Sequence, residues 1–161
     1  MAIPDYVREL RKKVGTDLLL LPAAGAVVMN DAGQVLLQKR SDTLTWHTLG
    51  GLMEPGESPA EAVVREVLEE AGVVVVPLYV TGIYTGRTVV YANGDHVESV
   101  ITCFACRYIS GDPHPADDES VDVRWFDPGA LPDLRSDIRQ RIEYALSGRR
   151  EAWFAPTTRT R

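Results

Sequence analysis

Cysteine is nearly missing from this chain, and the two that occur, Cys103 and Cys106, have no second pair to join them. A zinc centre of the paired-cysteine type needs four such ligands, so none is expected. The run around them is β-like, and an odd spacing sends them to opposite faces of a strand. Both are read as buried structural thiols. Positive charge is also short: 17 lysines and arginines stand against 23 aspartates and glutamates, for a net charge of −6. That balance argues against a nucleic-acid backbone as the main partner. The first residues lack a basic start followed by an apolar run, so no secretory leader is read and cytoplasmic residence is the expectation. The apolar stretch 18–29 is too short for a membrane span and is interrupted by Pro22. Repeats and low-complexity segments are lacking as well.

What is present is ordinary globular composition: 161 residues, 45% hydrophobic and 25% charged. A chain of that size buries about two thirds of its unfolded surface, and one domain is the default. Residues 4–14 carry Tyr6, Val7, Leu10 and Val14 at helical spacing, with Gly15 as a stop. Strands are expected over 18–21 and 25–29, followed by a turn at 30–33 and a strand over 34–39. Further strands are expected over 73–76 and, beyond Pro77, over 79–83. Asn93-Gly94 suits a tight turn between a strand over 88–91 and a long one over 97–108, with Ala92 opening the turn. A strand over 121–126 and a last helix over 132–146 complete the pattern. Three segments result: a helix and lead-in over 1–17, a main domain over 18–147, and a tail over 148–161, read as disordered or a loosely docked arm.

Residues 51–73, GLMEPGESPAEAVVREVLEEAGV, hold six glutamates and Arg65. Ser58, Pro59 and Glu61 signal a helix start: a hydroxyl cap, a proline in the first turn, and a carboxylate three residues after the cap. Gly72 supplies the stop. At about 100° per residue, Ala60, Val64, Val67, Leu68 and Ala71 fall on one side with Val63 at its border. Glu66, Glu69 and Glu70 fall on the other. Arg65 sits four residues after Glu61 and four before Glu69, within reach of neighbouring carboxylates. Taken only as a charge pattern, this is also what a solvated helix face looks like, since like charges at these spacings cost about 0.2–0.5 kcal/mol per pair.

Order and spacing add what charge alone does not. Gly51, five residues, Glu57, seven residues, Arg65-Glu66-Val67, one residue, Glu69-Glu70, one residue, Gly72-Val73: this closely resembles the signature of the Nudix hydrolases at all nine fixed positions. The resemblance implies an α/β fold, an α/β/α sandwich with a mixed central sheet, over roughly residues 18–147. It implies hydrolysis of a nucleoside diphosphate linked to a further group, assisted by Mg2+ or Mn2+. By resemblance, Glu69 and Glu70 are the foremost metal ligands, Glu66 is a ligand or the base, Arg65 orients them, and Glu57 joins directly or through water. Gly50 and Gly51, without a Cβ, let backbone approach metal and phosphates closely. In several members a loop glutamate shortly before a strand tryptophan assists the metal or acts as base, and Glu119 stands six residues before Trp125 in a similar setting. The general base is therefore Glu66 or Glu119. The family commonly has a proline before the paired glycines, where this chain has Leu49. That departure touches loop stiffness rather than chemistry.

The competing reading is a non-catalytic Nudix domain that binds or senses a nucleotide. Such domains commonly lose part of the glutamate set, which is complete here. Candidates for substrate contact are Arg40 at a strand end, Trp46 in the loop before the glycines, and Tyr84, Arg87 and Tyr91 along the hairpin. Each has a plainer alternative as a surface or packing residue. His47 beside Trp46 titrates near neutral pH if solvated. A nucleoside triphosphate, a nucleotide sugar and a dinucleoside polyphosphate all remain open as substrates. The proline that ADP-ribose hydrolases often carry some fifteen residues past the signature is not found, and Tyr91, eighteen past Val73, is a weak sign of the dinucleoside class. A homodimer through the N-terminal helix is left open.

Overall fold

In a computed structural model, which describes residues 4–91 and 93–156, helices cover the two faces of one mixed sheet. The elements in chain order are α1 (Asp5–Val14), β1 (Leu19–Met29), β2 (Val35–Arg40), β3 (Trp46–His47), β4 (Leu49–Leu52), α2 (Pro59–Ala71), β5 (Val73–Thr85), β6 (Val89–Val90), β7 (His96–Gly111), β8 (Ser120–Phe126), α3 (Ser136–Leu146) and β9 (Trp153–Phe154). The strands run in the order β3-β2-β1-β7-β5-β9, with β4 pairing β1, β6 pairing β7 and β8 pairing β2. β1 and β7 are parallel from Leu19 opposite Val97 to Met29 opposite Arg107. Among the described residues no helix is long and apolar enough to cross a membrane.

Strand alternation sorts the core into two layers. Ala24, Ala26 and Val28 of β1, Leu36 of β2, and Phe104 and Cys106 of β7 pack with Ala62, Val63, Val67 and Ala71 of α2. Val27, Val35, Leu37, Cys103 and Ala105, one residue out of phase, pack with Ile138, Ile142 and Ala145 of α3. The two cysteines are free and buried, one in each layer. A third, smaller cluster joins Val7 of α1 to Leu21, Ala23, Leu52 and Val97. Arg11 fastens α1 to the sheet, donating to the Asp17 carbonyl at 2.6 Å and the His96 carbonyl at 2.8 Å.

Several expectations need correction. β1 is continuous through Pro22, whose carbonyl accepts from the Met53 N–H at 3.1 Å. Proline suits a strand wherever its nitrogen owes no ladder bond. β5 likewise runs through Pro77, and the register slips between Pro77 and Tyr79 to accommodate it. α3 begins at Ser136 rather than 132. β3, β4 and β9 were not foreseen: the first two are short and glycine-rich or polar, and β9 is two residues in the tail, parallel to β5 at Gly82 and Ile83. Ala92, in the expected turn, and residues 157–161 of the tail lie outside the described residues.

The largest correction concerns α2. Its buried residues are Ala62, Val63, Glu66, Val67, Glu70 and Ala71, while Leu68 is 49% exposed. Two of the three glutamates read as an outer face thus lie on the buried side. The cause is the strand beneath: β4 presents Gly50 and Gly51 where side chains would otherwise fill the layer, and carboxylates take that space. The helix ends are as expected. Ser58 Oγ accepts from the Glu61 N–H at 3.3 Å, the Glu61 carboxylate accepts from the Ser58 N–H at 2.7 Å, and Gly72 closes the helix at φ 67°.

Candidate active site

Arg65 is the hub of the acidic helix. Its Nε and Nη2 donate to the two oxygens of Glu57 at 3.1 and 2.7 Å, and Nη2 also donates to the Leu52 carbonyl at 3.0 Å. Its Nη1 donates to Glu66 at 2.8 Å and to Glu69 at 3.1 Å. The guanidinium therefore spans the loop before α2, β4 and two turns of the helix, which a planar fork of five donors allows and a lysine does not. Pairing with Arg65 holds the Glu57 carboxyl below its usual range, and the Glu54 N–H adds a bond at 2.6 Å.

Glu70 is bound differently. It is 2% exposed and pairs with no arginine among the described residues; instead Gln38 Nε2 donates to Oε1 at 2.8 Å and the Gly50 N–H donates to Oε2 at 2.7 Å. Burial pushes its carboxyl up to about 8, against the pull of those two donors. Burial also pushes Glu66 upward, opposed by Arg65. The space for Glu66 comes from Gly51, where a Cβ would stand 2.5 Å from the Glu66 carboxyl carbon. Gly50 holds φ 131°, and a Cβ there would run into the Ala24 carbonyl oxygen and lie 2.7 Å from the Gly25 Cα.

A groove of about 580 Å³ opens over this face, lined by Glu54, Arg65, Glu66, Glu69, Asp117 and Glu119 among others. The loop after β7 supplies its far wall and is pinned to the end of α2: the His114 N–H donates to the Ala71 carbonyl and the Ala116 N–H to the Glu70 carbonyl, both at 3.2 Å. Glu119 thus faces the same groove as Glu66 and Glu69, although some fifty residues separate them in the chain.

The donor set is all hard oxygen, the chemistry that magnesium and manganese prefer. Two of the carboxylates are buried with their charge incompletely compensated, and a divalent cation fits that deficit. As the side chains stand, Arg65 draws three of the glutamates to itself, and among the described residues no three histidine, cysteine, aspartate or glutamate side chains converge on one point.

The remaining candidates are dispersed. Arg40 grips Asp42 through two bonds of 2.9 and 2.7 Å, and its charge is felt by Glu70 and Tyr91. Trp46 packs edge-on to Phe126 at 4.8 Å, on the α3 side of the sheet. His47 is half-buried: desolvation pushes it down to about 4, and its Nδ1 donates to the Thr48 carbonyl at 3.0 Å. Tyr84 is 5% exposed, stacked on Trp153 at 4.7 Å, beneath Arg141. Arg87 and Tyr91 are exposed on the hairpin arm. Reading from sequence missed Gln38, Ser120, Asp117 and Glu54. Gln38 had a signal, because it lies two residues after Leu36 and so must face α2.

The fold, the glycine pair and the carboxylate helix define one class of protein. A family model described as the NUDIX domain matches residues 19–146, and the chain belongs to that family. It is 36% identical over 129 residues to the NAD-capped RNA hydrolase NudC of Pseudomonas aeruginosa, a match covering 76% of this chain and 44% of that protein. The chain therefore spans less than half the length of that relative. It is 31% identical over 144 residues to a MutT-like protein of Streptomyces ambofaciens, covering 89% and 87% of the two chains. A NUDIX hydrolase structure from Nitrosomonas europaea superposes with a TM-score of 0.64 at 27% identity, covering 83% of this chain and 93% of the other.

Proposed function

We propose that this chain hydrolyses the pyrophosphate linkage of a nucleoside diphosphate joined to a further group, with Mg2+ or Mn2+ as cofactor. The observation that carries the reading is the pair of buried glutamates, Glu66 and Glu70, set against Gly50 and Gly51 under an open acidic groove. The ligands would be Glu66, Glu69 and Glu70, with Glu57 direct or through water and the Gly50 backbone close by. A divalent ion held there neutralises phosphate charge and makes the attacking water more acidic.

The chain's own groups do the rest. Arg65 gathers Glu57, Glu66 and Glu69 on one guanidinium, which keeps the three carboxylates grouped beside the groove. The water oxygen bonds to phosphorus, the bridging P–O bond breaks, and the water proton passes to Glu66 or Glu119. Arg40, which feels the charge of Glu70, is the candidate for a phosphate contact, and the exposed Arg87 and Tyr91 are candidates for the rest of the substrate; Trp46 and Tyr84, packed on the α3 side of the sheet, are not. A nucleoside triphosphate, nucleotide sugar or dinucleoside polyphosphate each fits this chemistry. The substrate is a small nucleotide and the setting cytoplasmic.

The test is a panel of those three substrate types with magnesium present, read by product identification. Cleavage of one class, abolished by chelator, supports the reading. A silent panel together with measurable nucleotide binding overturns it in favour of a binding or sensor domain.

A further inference from the structure

We propose that Gln38 is a positioning residue of this site, setting the direction of the Glu70 carboxylate and joining it to the acidic loop. The inference rests on the metal-dependent reading above. Gln38 is 1% exposed, Glu70 2% and Ser120 6%, so the three form a chain inside the molecule. The Gln38 amide nitrogen faces Glu70 and donates to its Oε1 at 2.8 Å. Its oxygen must then face Ser120, whose hydroxyl donates to it. With the Gly50 N–H on the other oxygen, Glu70 is clamped at both ends of its carboxylate. No member can turn without leaving a buried polar group unpaired.

Apolar packing does not explain Gln38. Leu36 fills the equivalent place two residues earlier on the same face, and an aliphatic chain would fill this one as well. What an amide adds is direction at both ends. Ser120 directly follows Glu119, and the Glu119 carbonyl accepts from the Ser41 N–H at 2.7 Å, just past the end of β2. Glu70 thus holds the loop twice: by its backbone through Ala116, and by its side chain through Gln38 and Ser120. β2 in this way fixes helix carboxylate and loop carboxylate relative to each other, as partners of metal ligands do elsewhere.

The experiment measures Mn2+ binding by electron paramagnetic resonance on the full chain without nucleotide, beside thermal unfolding and steady-state kinetics. Gln38→Met keeps the volume and removes both bonds; Ser120→Ala removes only the far one. We expect Mn2+ affinity to fall about tenfold in Gln38→Met and about threefold in Ser120→Ala. The nucleotide KM at saturating Mn2+ should move less than about twofold. A folded Gln38→Met with unchanged Mn2+ affinity overturns the proposal. If that variant does not fold, Ser120→Ala decides on the same criterion. A native chain that binds no Mn2+ overturns the metal reading itself, a failure visible before any variant is made.

Discussion

Gly51 is the space that Glu66 occupies: a Cβ on the glycine would stand 2.5 Å from the carboxyl carbon of the glutamate. The obstruction is the far end of a flexible side chain, so Gly51→Ala should fold, with a thermal midpoint within a few degrees of the parent. Glu66 must nevertheless leave its place. Mn2+ affinity and kcat should each fall about tenfold or more. Gly50→Ala meets backbone instead and forces φ 131° on an alanine, so it should cost about 2 kcal/mol or more of folding stability. Wild-type metal affinity in Gly51→Ala would mean that the position of Glu66 is immaterial.

Arg65→Lys tests the hub. A lysine offers one nitrogen where the guanidinium serves Glu57, Glu66, Glu69 and the Leu52 carbonyl. Turnover should fall about 10- to 100-fold, with a loss of about 1–2 kcal/mol in denaturant unfolding. Equal losses in Lys and Ala variants would show that fork geometry matters, not charge alone. A lysine variant with parental kcat would remove Arg65 from the machinery.

The helix, its caps and the order of glutamates were legible because each is a local signal: Ser58 and Glu61 close a capping box that depends on three residues of spacing. Which way the helix faced was not legible. Glu66 and Glu70 look like an outer stripe until β4 is known to lie beneath them with two glycines, and that contact is tertiary. Gln38 could have been found by carrying strand alternation through a polar residue. Tyr84 and Trp153 could not, since their stacking joins the middle of the chain to its tail across β5 and β9.

His47 gives a pH dependence of stability. Its folded pKa is down at about 4 against an ordinary 6.5, so between those values the unfolded chain binds the extra proton and the folded chain does not. Stability is therefore full above about pH 6.5, falls as pH drops toward 4, and levels below that. The loss attributable to this group is at most about 3.5 kcal/mol. His47→Gln should flatten the profile in that window, measured by urea unfolding from pH 4 to 7. An unchanged slope would place the titration elsewhere.

Trp153 should be a structural anchor for the tail. It stacks on Tyr84 with planes 13° apart, and β9 pairs with β5 beside it. Trp153→Ala should cost about 2 kcal/mol and speed amide exchange at Gly82 and Ile83. Unchanged exchange at those amides would show that the tail leaves β5 unaffected.

Glu70→Gln separates charge from shape at the carboxylate helix. The amide keeps the size of the side chain, but it accepts from only one of its two donors and turns an N–H toward the other. That mismatch costs stability, while removing a poorly compensated buried charge restores some, so the net change should stay within about 2 kcal/mol. Glu69→Gln, at a side chain 55% exposed, should leave stability nearly unaltered. Both should lower magnesium-dependent turnover by about a thousandfold, the scale of a lost charge contact to the phosphoryl centre. A folded Glu70→Gln that kept most of its hydrolysis would falsify its assignment as a metal ligand, and the same result in Glu69→Gln would leave Glu66 and Glu70 as the binding pair.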